Sequence, residues 1–142
     1  MEPVDKLKIA FEQAQIAYRL DEIPVGCAIY KGNELIACGY NQKEELNDAT
    51  LHAEIIAISQ ACRKLGTWRL DDCELFVTLE PCLMCIGAII ESRIKNVYYG
   101  ASSKGIQTYD KNALKPYVSM NFIDYNKCSD ILSDFFEKKR KK

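Results

Sequence analysis

The stretch CELFVTLEPCLMCIGAIIESRIKNVYYG, Cys73 to Gly100, decides the fold. It opens with strand formers from Cys73 to Leu79, and Pro81 follows where proline suits the first turn of a helix. The predicted helix carries Cys82 through about Glu91, and a further strand runs from Asn96 to Gly100. Strand, helix, strand is a βαβ crossover, so the two strands run parallel in a sheet that needs helices on its faces.

Outward from this unit, Val4, Leu7, Phe11, Ala14 and Tyr18 recur at helical spacing and predict an opening helix over Pro3–Leu20 with one buried face. Pro24–Lys31 and Glu34–Tyr40 read as two strands around Lys31-Gly32-Asn33, an antiparallel hairpin. Thr50 is the expected N-cap of a helix that turns Leu51, Ile55, Ile58 and Leu65 inward and ends at Gly66. Ser119–Asp124 reads as a last strand and Lys127 onward as an amphipathic helix through Ile131, Leu132, Phe135 and Phe136. The order is α-β-β-α-β-α-β-β-α, an α/β fold with three layers, α/β/α, around a central mixed five-stranded sheet.

Bulk properties bound the function. One hundred and forty-two residues without repeat or linker suit one domain, 1–142. Leu83–Ile90 is far too short an apolar run to cross a bilayer, and the N-terminus lacks a secretory pattern, so no membrane partner and a cytoplasmic location are expected. Seven cysteines at irregular spacing fit reduced thiols better than disulfides. A net charge of −1 supplies no global field for nucleic acid, so any polyanion contact must be local.

Chemistry concentrates in Leu51-His52-Ala53-Glu54 and Glu80-Pro81-Cys82-Leu83-Met84-Cys85. Cysteines three apart on a helix lie on one side of one turn and can share a zinc ion. His52 is the only histidine, hence the only imidazole available as a third ligand. Three protein ligands leave a fourth position open, as catalytic zinc requires. Helix N-termini at both strings add partial positive charge that favours thiolate. Glu54 enters on chemical grounds alone, because water activated by a metal still needs a carboxylate to move its protons. Two other readings of the CxxC stand beside this one: a redox dithiol, and a structural zinc closed by Cys73 or Cys128.

His52-Ala53-Glu54 with Pro81-Cys82-Leu83-Met84-Cys85 resembles the signature of the cytidine and deoxycytidylate deaminase superfamily. Within it the chain is most similar to the bacterial tRNA-specific adenosine deaminases, through Glu22-Ile23-Pro24-Val25-Gly26, Asn41, Asp48-Ala49-Thr50, Val77 to Cys82, Gly87-Ala88-Ile89 and Ser92-Arg93-Ile94. The resemblance implies one Zn2+ per chain on His52, Cys82 and Cys85, with water or hydroxide in the fourth position. It implies Glu54 as the catalytic proton carrier, first to the adenine ring and then to the departing amine. Asn41 would contact the ribose or base, and Ala53, Leu79 and Pro81 would line the base pocket. The implied product is inosine at the anticodon wobble position of a tRNA, and the implied assembly a homodimer that grips an anticodon loop.

Two features depart from that pattern. Ser102-Ser103-Lys104 stands where relatives carry an aspartate after Gly100-Ala101, and the connection from 101 to 119 is short. A free base or nucleoside, such as guanine or cytosine, is therefore the alternative substrate. The tail Lys138-Lys139-Arg140-Lys141-Lys142 and the polar residues Ser103, Lys104, Tyr109 and Lys111 are candidate phosphate contacts, the tail being equally readable as a solvated helix end.

Overall fold

The computed structural model describes residues 1–103 and 109–141. Lys104 and Lys142 lie outside the described residues. Five helices and five strands follow in order: α1 Pro3–Arg19, β1 Gly26–Lys31, β2 Glu34–Tyr40, α2 Ala53–Leu65, β3 Glu74–Val77, α3 Leu83–Glu91, β4 Asn96–Tyr99, α4 Lys111–Leu114, β5 Ser119–Phe122 and α5 Lys127–Arg140. The strands form one sheet in the order β2-β1-β3-β4-β5. Strand β1 is antiparallel to β2 and β3, while β3–β4 and β4–β5 are parallel. The sheet is mixed and five-stranded, with helices on both faces, as the order of elements requires.

Alternation along the strands separates two packed layers. Cys27, Ile29, Leu75, Val77, Val97 and Tyr99 point to Ala53, Ala57 and Ala61 of α2 and Ile89 of α3. Ala28, Tyr30 and Phe76 point the other way, to Leu7 and Ala10 of α1 and Cys128 of α5. Small residues set how near the helices lie. A Cβ on Gly26 would stand 1.9 Å from the Ala10 carbonyl oxygen, and one on Gly39 would stand 2.9 Å from that of Ala53. A methyl group at either strand position would push a helix off the sheet.

That close approach explains where the buried stripes differ from expectation. On α1 the contact is made by Lys6, Leu7, Ala10, Ala14 and Ala17, whereas Val4, Phe11 and Tyr18 are only partly buried. On α2 the alanines and Glu54 face the sheet, with Leu51, Ile55, Ile58 and Leu65 at the margins. Thr50 is not the N-cap: Asp48 accepts both its N–H, at 2.9 Å, and its hydroxyl, at 2.7 Å, and the helix begins after His52. Helix α3 likewise starts one residue later than Cys82, which is its extended cap, with Pro81 outside it. The last two strands end at Tyr99 and Phe122, short of Gly100 and Asp124. Helix α4 was not expected; Asp110 caps this single turn by accepting the Asn112 N–H at 2.9 Å. Phe136 of α5, expected inside, is 42% exposed.

Because β1 opposes β2 and β3, the carboxyl ends of β2, β3 and β4 share one edge of the sheet with the amino end of β1. Asn41, the 78–82 turn and Ala101–Ser103 all emerge there, at the edge where open α/β sheets place ligands.

Candidate metal and active site

Two helix caps meet at this edge. His52 and Cys82 both have extended backbone, φ −77° with ψ 155° and φ −75° with ψ 173°, which turns each side chain back across its own helix start. Cys85 follows one turn into α3 and is fully buried, while Cys82 is exposed. His52 Nδ1 lies 3.6 Å from each of the two sulfurs. All three ligand atoms lie within 4.8 Å of one another. For metal–sulfur and metal–nitrogen bonds of about 2.3 and 2.0 Å at a tetrahedral angle, the N···S edge is about 3.5 Å, close to the observed 3.6 Å, so the residues fit zinc. His52, Cys82 and Cys85 thus form the candidate zinc site, with Nδ1 as the imidazole donor.

The electrostatics match a site built for a cation. Contact with the Cys85 thiol and with His52 drops the Cys82 pKa to about 3, so this sulfur is a thiolate. The same contact, with burial, pushes Cys85 up, and contact with the Cys82 thiolate raises His52. One negative charge is thus already in place, and zinc binding would displace the remaining protons.

Glu54 is 3% exposed beside this triangle, and burial lifts its carboxyl to about 7. Spacing on a helix would turn Glu54 away from His52; the cap resolves this, since His52 stands outside the helix and Glu54 in its first turn. The Asn41 carboxamide oxygen accepts the Ala53 N–H at 2.8 Å, joining the end of β2 to the start of α2. A cavity of about 750 Å³ opens over the site, lined by His52, Glu54, Cys82, Asn41 and Leu79. Ala53 and Pro81 are buried at the two caps.

The pattern described as the cytidine and deoxycytidylate deaminase zinc-binding region matches residues 4–101. The chain belongs to that family. This deaminase is 42% identical over 141 residues to a tRNA-specific adenosine deaminase of Aquifex aeolicus, an alignment covering 94% of the chain and 93% of the relative. A solved structure from a study of A-to-I editing by tRNA deaminases at the wobble position superposes with a TM-score of 0.80 at 34% identity, covering 91% of this chain and 99% of that one. A guanine deaminase of Bacillus subtilis superposes at 0.68 with 32% identity, covering 82% and 92%. The deaminase is accordingly a zinc-dependent hydrolase, and the redox and structural-zinc readings of the CxxC fall away.

Several residues at the site escaped the sequence reading. Glu22, 1% exposed, accepts the backbone N–H groups of Glu44 and Glu45 at 3.0 and 2.6 Å and fixes one cavity wall. Glu80, 3% exposed, pairs with Lys111 at 2.6 Å. Phe135, Phe136 and Lys139 bring α5 to the far rim. An acidic side chain beside an apolar motif was the available signal for Glu22 and Glu80; on α5 only Lys139 was marked, as part of the basic tail, and nothing marked Phe135 and Phe136 as rim residues. The basic tail is tied to its own chain, Lys138 to Asp134, Lys139 to Asp21 and Lys141 to Glu137. Among the described residues, no helix is long and apolar enough to cross a membrane.

Proposed function

We propose that this deaminase converts adenosine to inosine in tRNA, at the anticodon wobble position. The observation that carries the reading is the His52–Cys82–Cys85 triangle beside buried Glu54 at the floor of one cavity. Zinc, when bound there, supplies an activated water at its open coordination position. Glu54 takes one proton from the attacking water and delivers it to the purine ring as the C6–O bond forms. It then takes the second proton from that hydroxyl and gives it to the amine as the C6–N bond breaks, leaving a C6 carbonyl and ammonia. A carboxyl held near 7 can both accept and return a proton at neutral pH, which suits it to this exchange.

Recognition follows from the walls. With its carboxamide oxygen engaged by Ala53, Asn41 offers its NH2 group to the ribose or base. Backbone at Ala53, Leu79 and Pro81 borders the base. The cavity, at about 750 Å³, is of a size that takes a drug-sized ligand, more room than one planar base fills, and Phe136 and Lys139 at its rim suit a stacked neighbour and its phosphate. The full-length likeness to the Aquifex aeolicus enzyme supports tRNA as the polymer. Leu83 and Met84, 53% and 38% exposed on α3, support a homodimer packed on that helix. A single-domain enzyme acting on tRNA in the cytoplasm belongs to the same reading.

The test is a substrate panel: tRNA with adenosine at the wobble position, set against free adenosine, guanine, cytosine and cytidine. Inosine is expected in the tRNA alone. Turnover confined to the small molecules would overturn the reading in favour of a free-base or nucleoside deaminase, which the likeness to guanine deaminase makes the rival.

A further inference from the structure

Three metal ligands are held very unequally. Cys85 is buried inside the first turn of α3, and His52 caps a helix start that Asn41 braces. Cys82 is exposed and sits at the end of an irregular turn, 78–82, between β3 and α3. Proline at 81 removes one backbone donor from that turn.

Two side chains from beyond β4 reach back to grip consecutive residues of the turn. Tyr109 donates its hydroxyl to the Pro81 carbonyl at 2.5 Å. Lys111 places Nζ 2.6 Å from Glu80 Oε2, while Glu80 Oε1 accepts the Ser103 N–H at 3.0 Å. The Lys111 ammonium is itself steered by the Tyr99 hydroxyl, 3.3 Å away, and by the face of the same ring, 5.3 Å from its centroid. A carboxylate as buried as Glu80 is costly without a partner, so the ion pair anchors the half-exposed Lys111 to the buried wall. Tyr109 and Lys111, candidate phosphate contacts by sequence, are turned inward onto the metal turn instead.

We propose that Tyr109 and Lys111 are positioning residues that clamp the Glu80–Pro81 step and so hold Cys82 at the metal. The proposal rests on the zinc-deaminase reading and adds a role for the segment after β4. Groups that orient metal ligands typically change metal affinity or activity by about 10–100-fold when removed.

The decisive measurement is zinc transfer to a chromogenic pyridylazo chelator from protein loaded with zinc, in wild type, Tyr109→Phe, Lys111→Met, Lys111→Arg and the double variant Tyr109→Phe/Lys111→Met. Release is expected to quicken about tenfold in Lys111→Met and further in the double variant. Lys111→Arg restores the charge and should return release close to wild type. On tRNA, kcat should fall more in Lys111→Met than KM rises, because the metal ligand is loosened while, of the groups bordering the base, only the Pro81 backbone lies on the clamped turn. Thermal unfolding of Tyr109→Phe should match wild type, separating the clamp from general stability. Zinc release unchanged in the double variant overturns the proposal. A wild type inactive on tRNA, with release still faster in the variants, overturns the substrate assignment and leaves the clamp standing.

Discussion

The two ends of the cavity are built differently. At the metal end, His52 comes from the cap, and Glu54 and Cys85 from the first turns, of helices packed by alanine and isoleucine onto a buried sheet. At the far end, Asp21, Lys43, Phe136 and Lys139 come from loops and from an outer helix whose charged residues face solvent. Chemistry that depends on N···S edges of 3.6 Å needs rigid elements beneath it, whereas stacking and phosphate contacts tolerate side chains that adjust. The difference predicts that changes at the metal end alter turnover and metal, and changes at the far end alter substrate affinity.

The largest break should come from Cys85→Ser, which removes a buried ligand. Zinc content by atomic absorption is expected to fall from one per chain toward none, with activity lost and the melting temperature lowered, since metal binding and folding are linked. Chelation of the wild-type protein should reproduce the loss, and added Zn2+ should reverse it.

Glu54→Gln separates the metal from the chemistry. Zinc should remain at one per chain while kcat drops by about 10²–10⁴-fold, the usual contribution of a general acid–base. Wild-type turnover in this variant would remove Glu54 from the mechanism.

Asn41→Ala sits between the two ends. It leaves the buried Ala53 N–H without its acceptor, costing about 1–3 kcal/mol of stability by denaturant titration, and it removes a substrate donor, so KM should rise as well.

Phe136→Ala tests the far end. Loss of one stacking surface is worth about 1–3 kcal/mol of RNA binding, and it should appear in KM with kcat preserved. An equal fall in kcat would contradict the division of labour between the ends.

The smallest effect is expected from Lys139→Ala. If it contacts one phosphate, the log–log salt dependence of RNA binding should fall by about 0.7. Its present pairing with Asp21, an exposed contact, is too weak to prevent that use.

Much of this was legible in one dimension. Helical spacing marked the long helices, and strand formers and turn residues marked the strands and the parallel βαβ unit, because these preferences act locally whatever the partner. The ligand set was legible because zinc chemistry accepts few residue types and the chain has a single histidine. Helix starts were misplaced by two residues, at Thr50 and Pro81, since local propensity does not reveal that Asn41 or Tyr109 supplies a bond from elsewhere. Buried stripes were assigned to large residues where alanines carry them, since the sequence does not show that Gly26 and Gly39 let the helices lie flat on the sheet.

By itself, then, the amino-acid order determined the elements, their alternation into layers and the identity of the candidate zinc ligands, all of which depend on residue type and short spacing. Only the tertiary structure decided that Glu54 is buried beside the His52–Cys82–Cys85 triangle, that Glu22 and Glu80 are walls of the cavity, that α5 reaches its rim and that Tyr109 and Lys111 contact the 78–82 turn. Those are contacts between residues distant in the chain. Their existence is fixed by how strands β1 to β4 order themselves in the sheet, which no local pattern encodes.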